Sequence, residues 1–380
     1  MANGGRITFG GIRQAMEKFV CRKSVKKSIT KKIKKSVIME NDIQFSEEDI
    51  RPENVTKGAK TAILKDLGRL LINSDRFVDV FCPACNSDKF TSAYKKFGLD
   101  YVSCNTCETL YINPRPSPEI LEMCYKESDV YAYWDKYIFP ASEKARREKI
   151  FKPRVDKILE FCKKYNITAD SILEVGAAYG TFCQELESRN IFKRIVAIEP
   201  TPNLAQTCRN KNIETIESPV EKVSFPEDKK FDVVVNFEVI EHLFSPINFI
   251  NQCKQFLKPH GLFVATCPNG KGFDFVVLKE LCNSIDHEHL NYFNPHSLNL
   301  LLSRCGFEVL ETLTPGRLDA ELVRKKILSG EFDVSDSPFL KQILIDNWKT
   351  ISIPFQNFLA ENQLSSSMWI IAKKLCQEKE

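Results

Sequence analysis

Ser171-Ile172-Leu173-Glu174-Val175-Gly176-Ala177-Ala178-Tyr179-Gly180-Thr181 is the stretch on which the reading of the whole chain turns. A short apolar run closed by an acid, followed by a turn holding two glycines and then a helical pattern, predicts a strand that enters a helix through a tight loop. Glycine at such a turn lets backbone approach a ligand closely, and the acid at the strand end can receive a cationic or hydroxyl group. Ala178 stands where the middle glycine of these loops usually sits. It leaves room for a tight turn but argues against a pyrophosphate lying on it.

Outward from this stretch, short apolar runs alternate with helical patterns, the signature of a parallel sheet flanked by helices. Strands are expected at Ser171 to Val175, Arg194 to Ile198, Ile213 to Ile216, Phe231 to Phe237, Gly261 to Thr266, Phe307 to Thr312 and Met368 to Ala372. The Val-rich run from Phe231 to Phe237 suits a strand buried on both faces. Glu199, before Pro200, closes the second strand about 20 residues after the turn, the position suited to gripping ribose hydroxyls. Turn, Glu174 and Glu199 together favour a nucleoside ligand without a diphosphate.

Upstream, Cys82-Pro83-Ala84-Cys85 is followed after 18 residues by Cys104-Asn105-Thr106-Cys107. Two such knuckles bring four thiolates into the tetrahedron that zinc accepts, and with four cysteine ligands the coordination is closed and structural. Downstream, Asp286-His287-Glu288-His289 holds two of the chain's 5 histidines at what should be the carboxyl edge of the sheet. His289 is the candidate general base, with Glu288 orienting it or binding the acceptor. The bland alternative is that the loop histidines only satisfy local polar groups.

In order, Glu174-x-Gly176-x-Ala178-x-Gly180, Glu199, Phe231 to Leu243 and Leu257 to Gly261 resemble the motifs of class I S-adenosylmethionine methyltransferases, over residues 171 to 313. The resemblance implies a seven-stranded, doubly wound Rossmann-like α/β sheet. It also implies that the loop (Gly176, Ala178, Gly180) with Glu174 holds the methionine end, that Glu199 and Pro200 lie at the ribose, and that Asn236 and Phe237 pass beside the methyl group. With the zinc ribbon, Asn113-Pro114-Arg115-Pro116-Ser117-Pro118, Tyr133-Trp134, Arg146-Arg147 and Leu313 to Asp319 added, the chain is similar to zinc-ribbon methyltransferases of saccharide and natural-product biosynthesis. Sugar C-methyltransferases of that kind use a Glu-His pair matching Glu288 and His289, although this chain lacks their large second domain. Glu238-Val239-Ile240-Glu241-His242 also resembles the segment with which quinone-ring O-methyltransferases and small-RNA end methyltransferases bind magnesium, its three side chains able to share one helical face. The same letters also occur without a metal, simply lining the site.

These readings divide the chain into a basic leader and linker (1–75), a zinc ribbon (76–118), a helical cover (119–168) interrupted by the aromatic stretch Tyr131 to Tyr137, and the methyltransferase domain (169–380), with a helical insert (320–365) before the last strand. Residues 1 to 40 carry eleven Lys or Arg against Glu17 and Glu40, so a total of +4 leaves the remainder at −5. A basic tail on an acidic body argues against a broad nucleic-acid-binding face. The tail reads as a solvated leader, an arm seeking RNA or a membrane surface, or a targeting peptide. With 43% hydrophobic and 27% charged residues and neither a membrane-length apolar run nor a secretory signal, a cytoplasmic globular protein is expected. The reading is an enzyme acting on a small-molecule acceptor, most specifically a sugar or natural-product intermediate. Its competitors are an RNA methyltransferase using the basic arm and a non-catalytic binding protein on the same fold.

Overall fold

A computed structural model describes residues 45–375; the basic segment 1–40 lies outside the described residues. The first sheet is small and antiparallel. It opens with β1 (Phe90–Lys96), β2 (Leu99–Cys104) and β3 (Leu110–Ile112), each paired to the next. The large sheet holds β4 (Ser171–Val175), β5 (Arg194–Ile198), β6 (Glu214–Ile216), β7 (Phe231–Phe237) and β8 (Leu257–Pro268). Next in the chain is β9 (Asn291–Tyr292), which leaves the large sheet to pair with β3 of the small one. The last two strands, β10 (Phe307–Leu313) and β11 (Ser367–Lys374), return to the large sheet.

The large sheet runs β10-β11-β8-β7-β4-β5-β6, parallel except that β11 is antiparallel to both neighbours. Order reverses between β4 and β7, so the crevice outside their carboxyl ends is where a doubly wound sheet binds ligand. Residues of β4 and β7 are buried throughout, as strands covered by helices on both faces must be. Among the described residues, no helix is long and apolar enough to cross a membrane.

The helical segments before β4 depart from expectation. The aromatic stretch Tyr131 to Tyr137 does not interrupt the helix. Asp129–Tyr133 continues through a π-turn (Trp134–Ile138) into Phe139–Arg146, and a second π-turn (Arg147–Phe151) leads into Lys152–Lys164. Each π-turn admits an extra residue. That extra residue breaks the 3.6-residue period by which a helix is recognised in sequence. Between β10 and β11 lie the helices Asp319–Leu328, Pro338–Lys341 and Trp348–Glu361. β8 begins four residues earlier than expected, at Leu257.

Candidate functional site

At the mouth of the crevice, Gly176 has φ +82° and its missing Cβ would lie 2.6 Å from Val239 Cγ2. Gly180, at φ +70°, would strike Ile213 and Cys208, so both positions demand glycine for conformation and for space. Ala178 takes φ 46° between them. The Ala178 N–H donates to Glu199 Oε2 at 2.8 Å and the Thr201 N–H to Glu199 Oε1 at 2.9 Å. The acid closing β5 is thereby fixed against the loop that follows β4.

Glu174 is 4% exposed. Its only described side-chain donor is Cys183 Sγ, at 3.1 Å. Burial pushes its carboxyl up to about 8, against the pull of Cys183 and Arg154. Asn236, at the end of β7, is fully buried with neither amide atom partnered among the described residues. Phe237 lies edge-on to Phe182 and beneath the Arg154 guanidinium, 4.5 Å from its ring centroid. Arg154 also reaches Glu238 at 3.5 Å. Sequence reasoning missed Arg154, yet it shares a helical face with buried Ile158 and Phe161, and a cation on an apolar stripe was a readable signal.

Beyond β7 the expected helical face does not form. Glu238 turns the chain at φ 57°, and Ile240–His242 is a single 3-10 turn. Glu238 accepts from Thr266 Oγ1, while Glu241 and His242 gather with His289, their candidate ligand atoms all within 4.8 Å of one another. Both Glu241 oxygens are buried without a hydrogen-bond partner among the described residues, and burial, with Glu238 adding to it, holds that carboxyl well above its usual range. His242 Nδ1 lies 3.2 Å from the Glu288 carbonyl and His289 Nδ1 3.1 Å from the Ser284 carbonyl. A carbonyl only accepts, so Nδ1 of each ring carries a proton and Nε2 is left as the nitrogen free to ligate or react. Burial, then His289, lowers His242 to about 3, which keeps it neutral. Two imidazoles anchored through Nδ1 by backbone carbonyls and gathered with the buried Glu241 carboxyl could supply the donor set of a divalent-cation site.

The structure separates Glu288 from His289. The carboxylate beside His289 is Asp286, 3.8 Å from Nδ1, and it also accepts the backbone N–H of both Glu288 and His289. The Glu288 carboxyl instead groups with Asp66 and His287, and burial, with Asp286 and Asp66, pushes it up to about 8. Asp66 is taken up by Arg69, Ser128 and the N–H groups of Asp129 and Val130, whose helix it caps.

The four cysteines come together as a cluster. Cys82 Sγ and Cys107 Sγ are 3.5 Å apart, Cys85 Sγ and Cys104 Sγ 3.4 Å, and all four lie within 4.8 Å of one another as free thiols. This module is joined to the histidine loop. β3 pairs with β9, the Ile112 N–H donates to the Leu290 carbonyl, and Asn294 Nδ2 donates to the Cys107 carbonyl. Arg115, fully buried, donates to the carbonyls of Ile112, Phe244 and Leu290, which ties the module to both segments carrying Glu241, His242 and His289.

The family model for a methyltransferase domain matches residues 143–312. A protein of Mycolicibacterium smegmatis named as an S-adenosylmethionine-dependent methyltransferase is 34% identical over 126 residues, 31% of this chain and 48% of that protein. A ubiquinone biosynthesis O-methyltransferase of Roseobacter denitrificans is 34% identical over 93 residues, 22% of this chain and 37% of that protein. The chain thus spans about half the length, or less, of these curated relatives. Among solved structures, an S-adenosylmethionine-dependent methyltransferase from Archaeoglobus fulgidus aligns at 21% identity and TM-score 0.43, over 63% of this chain and 100% of that one. Residues 143–312 thus match a methyltransferase-domain model, and β4 to β8 of the large sheet lie within that span.

Proposed function

We propose that the chain transfers a methyl group from S-adenosylmethionine to a small-molecule acceptor. One observation carries this: the acids Glu174 and Glu199 close adjacent parallel strands on either side of the Gly176–Gly180 turn, at the switch point of the sheet. Glu199 is suited to ribose hydroxyls. Glu174 and Arg154 are suited to the ammonium and carboxylate of the methionine end, as charge-assisted pairs. The Asn236 amide, unpartnered among the described residues, and the buried Glu174 carboxyl are suited to receive such a group.

The bound cofactor supplies an electrophilic methyl carbon; the protein's task is to align an acceptor against it and handle the acceptor's proton. His289, held at Nδ1 by the Ser284 carbonyl, is the candidate base through Nε2. For the acceptor we keep a hydroxyl-bearing sugar or natural-product intermediate, on the resemblance of the ribbon and histidine loop. The relatives named for O-methylation favour oxygen as the accepting atom.

A second reading of the acceptor side is favoured by the buried Glu241 carboxyl, unpartnered among the described residues and gathered with His242 and His289. Glu241, His242 and His289 would hold a divalent cation, magnesium being one candidate, whose chemistry is to lower the pKa of a bound hydroxyl. His289 would then be a ligand rather than the base. We further propose structural zinc at Cys82, Cys85, Cys104 and Cys107. A zinc–sulfur bond of about 2.3 Å sets tetrahedral sulfurs about 3.8 Å apart, close to the spacings found.

Calorimetric titration with S-adenosylhomocysteine tests the central reading. One saturable site is expected, and Glu199→Ala should weaken it by about 1.5 to 3 kcal/mol through loss of a charged acceptor. No binding by the unmodified chain, or tighter binding of NAD, would overturn the reading.

A further inference from the structure

The chain between β7 and the helix Pro246–Phe256 carries Glu241 and His242 yet has little regular structure of its own, only the 3-10 turn Ile240–His242. Backbone carbonyls in such a segment must find donors elsewhere. Here the donors are side chains. Asn291 Nδ2 lies 2.8 Å from the Leu243 carbonyl, 3.2 Å from that of Glu241 and 3.5 Å from that of Ile240. Tyr125 Oη donates to the His242 carbonyl at 3.3 Å, and Arg115 Nη1 to the Phe244 carbonyl at 3.2 Å. An amide nitrogen has two hydrogens, so Asn291 spends them on Leu243 and Glu241, and the contact to Ile240, at the limit of bonding distance, is residual. Asn291 therefore grips the backbone on both sides of His242.

That grip comes from the other half of the histidine cluster. Asn291 lies two residues after His289, in β9, and its backbone pairs with Tyr111 of β3. Its side chain is fully buried, and Oδ1 has no partner among the described residues. Turning the amide over would set Oδ1 against the carbonyls, so its orientation is fixed. A buried acceptor left unpaired is costly; an apolar side chain of the same size would avoid that cost but could hold neither carbonyl. Beside this grip, His242 Nδ1 reaches the Glu288 carbonyl at 3.2 Å, a bond that also crosses from the turn to the loop. His289 Nδ1, by contrast, is held by Ser284 within its own loop. The two rings meet edge-on with centroids 4.5 Å apart, so any slip of the turn against the loop changes what Glu241, His242 and His289 enclose.

We propose that Asn291 is a positioning residue, whose amide sets the separation of the Glu241–His242 turn from the His289 loop and so the geometry in which these side chains meet the acceptor or a cation. This deepens the methyltransferase reading and rests on it. It serves the base and the cation readings of His289 alike, since either needs the same three side chains held together. The bond from His242 to Glu288 is its natural reporter: if the turn slips, that Nδ1 loses its acceptor while His289 keeps Ser284.

The test is nuclear magnetic resonance of the full chain with 15N in the rings of its 5 histidines, which reads which ring nitrogen carries the proton. The unmodified chain should show His242 and His289 both protonated at Nδ1. In Asn291→Ala, His242 should pass to a mixture of tautomers while His289 keeps its Nδ1 proton and S-adenosylhomocysteine affinity is unchanged. Asn294→Ala is the control, because buried Asn294 caps the next helix and donates to the Cys107 carbonyl without touching the turn, so it should leave both rings as they were. Asn291→Asp, which keeps the size and replaces donors by acceptors, carries the comparison if Asn291→Ala does not fold. An unchanged His242 in the Asn291 variant overturns the proposal, as does the same loss in Asn294→Ala; if neither Asn291 variant folds, the residue is structural and the proposal falls. Failure of the unmodified chain to bind S-adenosylhomocysteine would instead strike the methyltransferase reading.

Discussion

Glu174→Gln should make the ligand-free protein more stable and the ligand-bound protein weaker, and the pH dependence of the gain is the informative part. In the unfolded chain a glutamate titrates near 4.5, whereas the folded protein holds Glu174 protonated up to about 8, chiefly through burial. A carboxyl raised in this way gives its full stability below 4.5 and loses it as pH climbs toward 8, because the unfolded chain then gains ionisation that the folded one lacks. At roughly 1.4 kcal/mol per pH unit, the loss amounts to roughly 3 kcal/mol at pH 7 and about 5 kcal/mol above pH 8, the latter a ceiling. Glutamine preserves the shape and can accept the Cys183 thiol, but it does not titrate. Urea unfolding across pH 4.5 to 9 should therefore show the two proteins level at the acid end and the variant pulling ahead as pH rises. S-adenosylhomocysteine should then stabilise the wild type and do little for the variant. Its affinity for the wild type should rise with pH until about 8, since a cationic group prefers the ionised acid. A stability gap that does not grow with pH would refute the claim that Glu174 is held neutral. Equal ligand stabilisation of both proteins would remove Glu174 from the cofactor site.

Two further outcomes concern the metals and the histidine loop. His289→Ala should lower turnover by roughly 10² to 10⁴ while leaving S-adenosylhomocysteine affinity nearly unchanged. If a chelator abolishes wild-type activity and magnesium restores it, with His242→Ala behaving like His289→Ala, then His289 is a ligand; indifference to chelation leaves it as the base. Elemental analysis should find about one zinc per chain, lost in Cys104→Ser together with cooperative unfolding of the ribbon, because a structural zinc site contributes about 10 to 16 kcal/mol of binding to folding. Full stability without zinc would sink that assignment.

Much of the core was legible because its strands are buried on both faces and bounded by breakers. β4, β5 and β7 begin and end where the apolar runs do. The π-turns at Trp134–Ile138 and Arg147–Phe151 were hidden, since an inserted residue looks like a lost period. In the site, Glu174, Glu199 and the glycine turn follow from local spacing. The partners of His289 did not. Asp286 and Glu288 are both near it in sequence, and only the turn of the loop, pinned by two amides on Asp286, decides which carboxylate faces the imidazole. Glu241 and His242 meet His289 across 47 or more residues, and Arg115 acts through three carbonyls, a role that no residue pattern encodes.

The pairing of β3 with β9 limits how such a protein can be rearranged by recombination. A chimera that joined residues 169–380 to a foreign N-terminal half would arrive with the Asn291–Tyr292 edge unpaired. It would also leave the carbonyls of Phe244 and Leu290 facing a hole where a guanidinium belongs. The Gly176–Gly180 turn and Glu199, built within the large sheet, would survive the graft, whereas Arg154 would be lost with the N-terminal half and the loop carrying His289 would lose its template. On the proposed function, the histidine loop and the cysteine module would have to drift together, and a swap that moved one without the other is expected to keep S-adenosylhomocysteine binding and lose methyl transfer.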